Sequence, residues 1–118
     1  TGVNYVNIIT ITYRFTDIST ASSQWVVCPI AGIISKIYTV IHGVITGSDT
    51  NMTFEIAGVV VTNGAIVIAQ SGSAAGDVDS STPTAARTLT AGQAIEVISD
   101  GGSTNTVDAT VTFTINVA

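Results

Sequence analysis

Apolar and polar residues alternate with a period of two through most of this chain, and the alternation is strictest in ITITYRF near the start and TVTFTINV at the end. A period of two places successive side chains on opposite faces of an extended chain, so these segments predict half-buried antiparallel strands. In the first, Ile9, Ile11, Tyr13 and Phe15 share one face and Thr10, Thr12, Arg14 and Thr16 the other. DISTASS supplies turn formers, and QWVVCPI reads as a short second strand ended by Pro29 and Gly32. A third strand is expected over 33–42, with Ile33, Ile37 and Ile41 on one face and Ile34, Lys36, Tyr38, Val40 and His42 on the other. Because both faces carry apolar side chains, that strand is expected to be covered on both sides.

The middle of the chain reads as a meander. Met52, Phe54 and Ile56 alternate against Thr53, Glu55 and Ala57, and Ala57–Gly58 makes a tight reversal into VVVT. Asn63–Gly64 is the strongest local hairpin signal, since both central residues of a type I′ turn need positive φ, and AIVIAQ is the expected return strand. SGSAAGDVDSSTPTAA shows no periodicity, and a long structureless stretch in a compact domain is usually a functional or interface loop. The last strands are expected over 94–99 and 110–117. About eight short strands, with no helix to serve as a crossover, predict an all-β single domain: an antiparallel β-sandwich of jelly-roll or related Greek-key topology. The sandwich occupies residues 8–118, with residues 1–7 as a possible N-terminal arm.

Composition changes the picture in one respect. Only 9% of the 118 residues are charged, against about 25% in ordinary soluble domains. A folded chain of this size exposes roughly 6,000 Å². The strand faces are paved with threonine, which can stay wet or pack on another subunit at less desolvation cost than Lys or Glu. Charged gatekeepers that normally blunt edge strands are scarce. Such an exterior is expected to be covered by neighbouring chains. No run is long and apolar enough to span a bilayer as a helix, and no signal peptide is visible at the start. With Arg14, Lys36 and Arg87 as its only basic side chains and a net charge of −5, the chain lacks the clustered cations that hold a phosphate backbone, so no nucleic-acid partner is expected.

The search for chemistry returns little. His42 is the sole histidine and falls beside Gly43 at a strand end, where it reads as a surface residue rather than a catalytic base. GDVDSST offers Asp77, Asp79 and Ser81 at alternate positions but lacks the ligand series of a calcium loop. Asn51, Met52 and Thr53 match a glycosylation sequon, a weak signal on its own. Cys28 in WVVCPI reads as a buried small hydrophobe. No catalytic, cofactor or metal residue is assigned, and the chain is not expected to be an enzyme. Tyr13, Phe15, Phe54 and Phe113 fall on apolar strand faces and are expected in the core. Tyr5, Trp25 and Tyr38 are core residues or anchors for a partner, with core packing favoured for Trp25.

The order TDISTASSQWVVCPIAGIISKIYTVI, then MTFEIAGVVVTNGAIVIAQSGSAAGDVDSSTPTAARTLTAGQAIEVISDGGST, then ATVTFTI resembles a family of small all-β structural proteins of tailed bacteriophages, the capsid decoration, cement or head-fibre proteins. The resemblance runs from about Thr16 onward and is most specific in SGSAAGDVDSSTPTAA and the following AGQAIEVISDGG. It carries no active-site residue. It implies a homo-oligomer, often a trimer, on the outer surface of the capsid, clamping neighbouring major capsid protein subunits. Val3, Tyr5, Val6, Arg14, Trp25 and Tyr38 are the candidate subunit or capsid contacts, and residues 1–7 are expected to extend as an arm onto a neighbour. The rival reading is a receptor- or carbohydrate-binding module of a tail fibre or adhesin, which needs an exposed aromatic patch or a loop-lined groove. A self-assembling surface-layer or fimbrial subunit is a further structural alternative.

Overall fold

The computed structural model describes residues 7–118. Among them are ten strands and no helix: β1 Ile8–Phe15, β2 Ser22–Cys28, β3 Gly32–Ile41, β4 Thr50–Ile56, β5 Val59–Val60, β6 Ile66–Ile68, β7 Val78–Ser81, β8 Thr88–Leu89, β9 Gln93–Ser99 and β10 Ala109–Val117. They form two five-stranded antiparallel sheets. Sheet A runs β1-β10-β3-β7, with β8 also on β3; sheet B runs β2-β9-β4-β5, with β6 also on β4. The short strands β5 and β6 share one edge position and β7 and β8 share another, so ten strands fill eight positions. Consecutive strands β1 to β4 alternate between the sheets, and the first strand pairs with the last, a Greek-key connectivity. All-β sandwich architecture is as expected from the alternation.

The inward faces are aliphatic and aromatic. Phe15, Ile37, Ile41, Val111, Phe113 and Ile115 from sheet A meet Met52, Phe54, Ile56, Ile95 and Val97 from sheet B, all buried. Phe54 and Phe113 bridge the two layers edge to face, with ring centroids 5.5 Å apart and planes at 87°. That geometry sets the positive ring edge of one against the negative face of the other. Cys28 is buried, as expected, with its thiol near the Ile30 carbonyl. Tyr13 is half-buried at the margin of the core, and its hydroxyl donates to Gln24 Oε1 at 2.7 Å, tying β1 to β2 across the sheets.

Four local expectations are overturned. First, Ile33 and Ile34 exchange faces: Ile34 is buried and Ile33 is 38% exposed. A bulge is the cause. Lys36 pairs with Thr114 but Ile34 with Ile115, leaving Ser35 as the extra residue. Its hydroxyl lies 3.1 Å from the Thr114 carbonyl and 2.7 Å from the Thr114 hydroxyl, which holds the irregularity in place. Secondly, β3 is not covered on both sides, since Lys36, Tyr38 and Val40 remain half-exposed on its outer face.

Thirdly, Asn63–Gly64 does not close a hairpin. Asn63 has positive φ but Gly64 does not, and the Gly64 amide donates to the Val61 carbonyl at 3.2 Å. Beyond Val60 the chain leaves sheet B to make an isolated bridge between Thr62 and Ala85, and β6 then returns to the other end of β4. The two-residue hairpin is Ala57–Gly58, with φ of 52° and 78°, joining β4 to β5. Fourthly, part of the stretch expected as a structureless loop is β7, which pairs Val78–Ser81 with Ile37–Val40 at the edge of sheet A. Its residues are small, and their burial rather than their hydropathy alternates.

One end of the sandwich is closed by side chains that hydrogen-bond to backbone. Ser99 Oγ donates to the Ile18 carbonyl, Asn105 Nδ2 to the Val44 carbonyl, and Ser48 Oγ to the Gly102 carbonyl. Gly102 is required there because a β-carbon would collide with the carbonyl oxygen of Asp49. Asn7, which the sequence grouped with the arm, accepts a 2.8 Å hydrogen bond from the Val117 amide and so joins the margin of sheet A.

The inter-sheet aromatic contact makes the fold's cooperativity testable. Phe113→Ala is expected to lower unfolding stability by about 3–5 kcal/mol, read as a lower midpoint in urea denaturation with an unchanged slope.

Candidate functional site

With the inward faces committed to the core, the surfaces able to act are the two outer faces and the strand edges. On sheet A, pairing aligns the outer residues into rows: Thr10, Thr114 and Lys36; Thr12, Thr112, Tyr38 and Ser80; Arg14, Thr110, Val40 and Val78. The β-branched residues at these positions favour the strand and leave the face uncharged in its centre. A shallow cavity of about 250 Å³ is lined by Tyr38, Thr39, Val40, Val78, Thr110 and Thr112. Its basic groups are engaged: Arg14 Nε donates to Asp108 Oδ2 at 2.8 Å, and Lys36 Nζ lies 5.5 Å from the Tyr38 ring centroid. His42, at the end of the face, shares a 2.8 Å hydrogen bond with Thr110 Oγ1.

Sheet B is less balanced. Its outer rows are Ser23, Ile98 and Thr53; then Trp25, Glu96, Glu55 and Val60. Trp25 is 58% exposed, correcting the core position favoured for it from sequence; it stands on the β2 positions opposite in phase to the buried Cys28. Val27 and Val60 are exposed on the same face. Trp25, Glu55, Ala57, Gly58, Gln93, Ala94 and Glu96 line a depression of about 260 Å³. A second one of about 290 Å³, sharing Ala57 and Gln93, continues it over the rim toward Ala86 and Thr88.

Of the candidate contacts from sequence, the structure puts Arg14 and Tyr38 on the outer face of sheet A and Trp25 on that of sheet B, so it does not unite them in one site. Val3, Tyr5 and Val6 lie outside the described residues. The Glu55–Glu96 pair was missed because its members are 41 positions apart in sequence and only the β4–β9 register brings them together.

Among the described residues, no group of three His, Cys, Asp or Glu side chains is placed to hold a metal ion. The Asp77 carboxylate of GDVDSST instead accepts the Ala74 amide at 2.8 Å, closing the turn into β7. No helix of the described residues is long and apolar enough to cross a membrane.

Three carboxylates are shifted. Hydrogen bonds from the Ser19 hydroxyl and amide hold Asp17 below 3.8, and the bond from Arg14 does the same for Asp108. Both favour the folded state while ionised, a contribution lost as pH falls below that value. Asp79 is pushed up, first by desolvation and then by Asp77. It sits on the half-buried side of edge strand β7, opposite the buried Thr39, whose hydroxyl has no hydrogen-bond partner among the described residues.

No protein-family model matches the sequence, and no curated protein matches it either. Solved structures do match in fold. A chain of the acidic stable capsid structure of Helicobacter pylori bacteriophage KHP30 is 12% identical with a TM-score of 0.59, covering 98% of this chain and 90% of that one. A chain of the cyanophage Pam1 capsid asymmetric unit is 16% identical with a TM-score of 0.53, over 100% and 91% of the two chains. The fold is one found in phage capsids. It is also that of a carbohydrate-binding module of Clostridium stercorarium solved with cellobiose, 13% identical, with a TM-score of 0.56 over 96% and 82%. The capsid neighbours agree with the resemblance drawn from sequence.

The Asp79 shift has a definite sign. A raised folded-state pKa means that its ionisation opposes folding, a penalty absent below 3.8 and developed as pH rises through the folded value. Asp79→Asn is expected to melt higher than the parent at pH 7, with the gap closing as pH is lowered toward 4. Equal melting temperatures at both pH values would refute the assignment.

Proposed function

We propose that this chain is a structural protein of a bacteriophage virion, a decoration or cement protein that binds the outer capsid surface as an oligomer and clamps neighbouring major capsid protein subunits. The observation that carries the reading is the exterior: large apolar side chains stand exposed on both sheets, among them Ile8, Trp25, Val27, Val60, Val67 and Val78, in a chain with eleven Asp, Glu, Lys and Arg residues. Trp25 and Val27 are neighbours two residues apart on one face of β2, and exposed apolar side chains gathered in this way mark interaction surface. The shared fold of the two capsid chains supports the setting, and the eight strand positions with first beside last fit a jelly roll.

The edges support it as well. At one side of the sandwich each edge is broken into short strands, and β7 turns Asp79 inward, a common protection against edge pairing. At the other side β1 and β2 are unbroken over eight and seven residues, and Arg14 is the one charged residue in them. Such edges suit strand pairing or close packing with a neighbour. Trimeric assembly, with the chain ahead of Asn7 reaching a neighbour, completes the proposal. Binding only the assembled shell shifts the assembly equilibrium toward it by mass action, multiplied over many symmetric copies. No catalytic role is part of it.

A second reading, a carbohydrate-binding module of a tail fibre or adhesin, is favoured by one specific observation: Trp25 beside Glu55, Glu96 and Gln93 in an open depression. An exposed indole with hydrogen-bonding groups at its side suits a sugar ring.

The test is the solution mass of the purified chain together with co-sedimentation on purified phage heads. A discrete oligomer that pellets with heads at saturable stoichiometry is expected. A monomer at high concentration that ignores heads but is retained on a glycan array would replace the first reading by the second.

A further inference from the structure

Glu55 on β4 and Glu96 on β9 are paired directly across two neighbouring strands on the outer face of sheet B. Like charges so placed destabilise a sheet, and among the described residues neither has an ion-pair partner. The chain's three Lys and Arg side chains are occupied elsewhere. Arg14 is bonded to Asp108, Lys36 stands over Tyr38, and Arg87 Nη1 reaches the Ile34 carbonyl at 3.3 Å. The pair is flanked in its row by Trp25 on one side and Val60 on the other, with Val27, Ala57 and Ala94 around it. Two uncompensated carboxylates in a depression of mixed polar and apolar lining, with an indole beside them in the same row, make a specific chemical demand. It is met by a planar cation whose stem is aliphatic. A guanidinium can fork onto a carboxylate, stack on the indole and lay its methylenes against valine.

We infer that the Trp25–Glu96–Glu55–Val60 row is the docking surface for a protein partner of different sequence that presents an arginine flanked by aliphatic side chains. Charge complementarity decides between occupants. A second copy of this chain has only Arg14, Lys36 and Arg87 to offer, each already engaged with Asp108, the Tyr38 ring or the Ile34 carbonyl, whereas a different chain brings a cation of its own. A neutral glycan would satisfy the hydrogen-bonding groups but leave the two negative charges facing each other. The inference deepens the assembly reading by naming the face that meets a partner, and its test uses isolated peptides, so either can fail without the other.

Trp25 is the only tryptophan and therefore reports directly on this surface by its fluorescence. The peptide acetyl-Ala-Val-Arg-Val-Ala-amide is titrated into the full chain beside its citrulline counterpart, which keeps the shape and removes the charge. Cellohexaose is the neutral glycan arm. The arginine peptide is expected to give a saturable change that weakens as salt is raised. Its affinity should fall roughly tenfold with citrulline and by a similar factor in the Glu55→Gln/Glu96→Gln variant. That variant should itself melt at or above the parent temperature, because it removes a repulsion. Loss of binding together with a lowered melting temperature would make the carboxylates structural and overturn the inference. So would equal binding of the citrulline peptide, absence of a saturable change, or saturation by cellohexaose in place of the arginine peptide.

Discussion

The seal between the two sheets is the constraint from which the rest of the molecule follows. Phe54 and Phe113 meet edge to face at the centre of that seal, and the buried Ile, Val and Met side chains of β3, β4, β9 and β10 close around them. Once each strand turns one face to this layer, period-two geometry sends every other residue outward. The outer faces are then fixed as a consequence: threonine rows on one sheet, and tryptophan, valine and an opposed pair of glutamates on the other. In this chain the core takes all three phenylalanines and ten of the sixteen isoleucines, while the exterior receives little charge to keep it apart from other proteins.

The sequence made the long strands plain and the short ones obscure, for a physical reason. β4 and β10 alternate in hydropathy because one face is buried along nearly their whole length, β1 because one face is at least half-buried along its length, and that signal is local. β7 is built from VDSS at a sheet edge, where pairing to β3 rather than side-chain burial holds it, so no hydropathy period marks it. The exchange of Ile33 and Ile34 depends on a bulge at Ser35, and the bulge depends on Thr114, far away in sequence. Asn63–Gly64 carried the stronger local turn signal, yet the hairpin formed at Ala57–Gly58; the Thr62–Ala85 bridge draws the chain away before Asn63 can close one. Trp25 was misjudged because an apolar run such as WVVC has no polar residue to mark its phase. Its exposure is set by which neighbours β9 presents.

An exterior of this kind has an energetic cost in isolation and a use in company. Val27, Val59, Val60 and Val78 gain from removal from water, threonine rows lose little on desolvation, and the long edges of β1 and β2 retain backbone groups that a neighbour can satisfy. The polar end of the sandwich, where Ser99 and Asn105 donate to backbone carbonyls of other segments and Ser103 to that of Asn105, is by contrast internally satisfied and has less to gain. The proposed role in holding a larger structure together needs this division: a dry centre and a surface whose unmet demands are specific.

Hydroxyl-radical labelling of side chains, compared between the free chain and the chain on phage heads, tests this account most directly. Trp25, Val27, Val60 and Val78 should label strongly in the free chain, and those on at least one sheet face should become protected together when bound, while the buried Phe54 and Phe113 stay unlabelled throughout. Unchanged labelling of every outer-face residue in the presence of heads would contradict it.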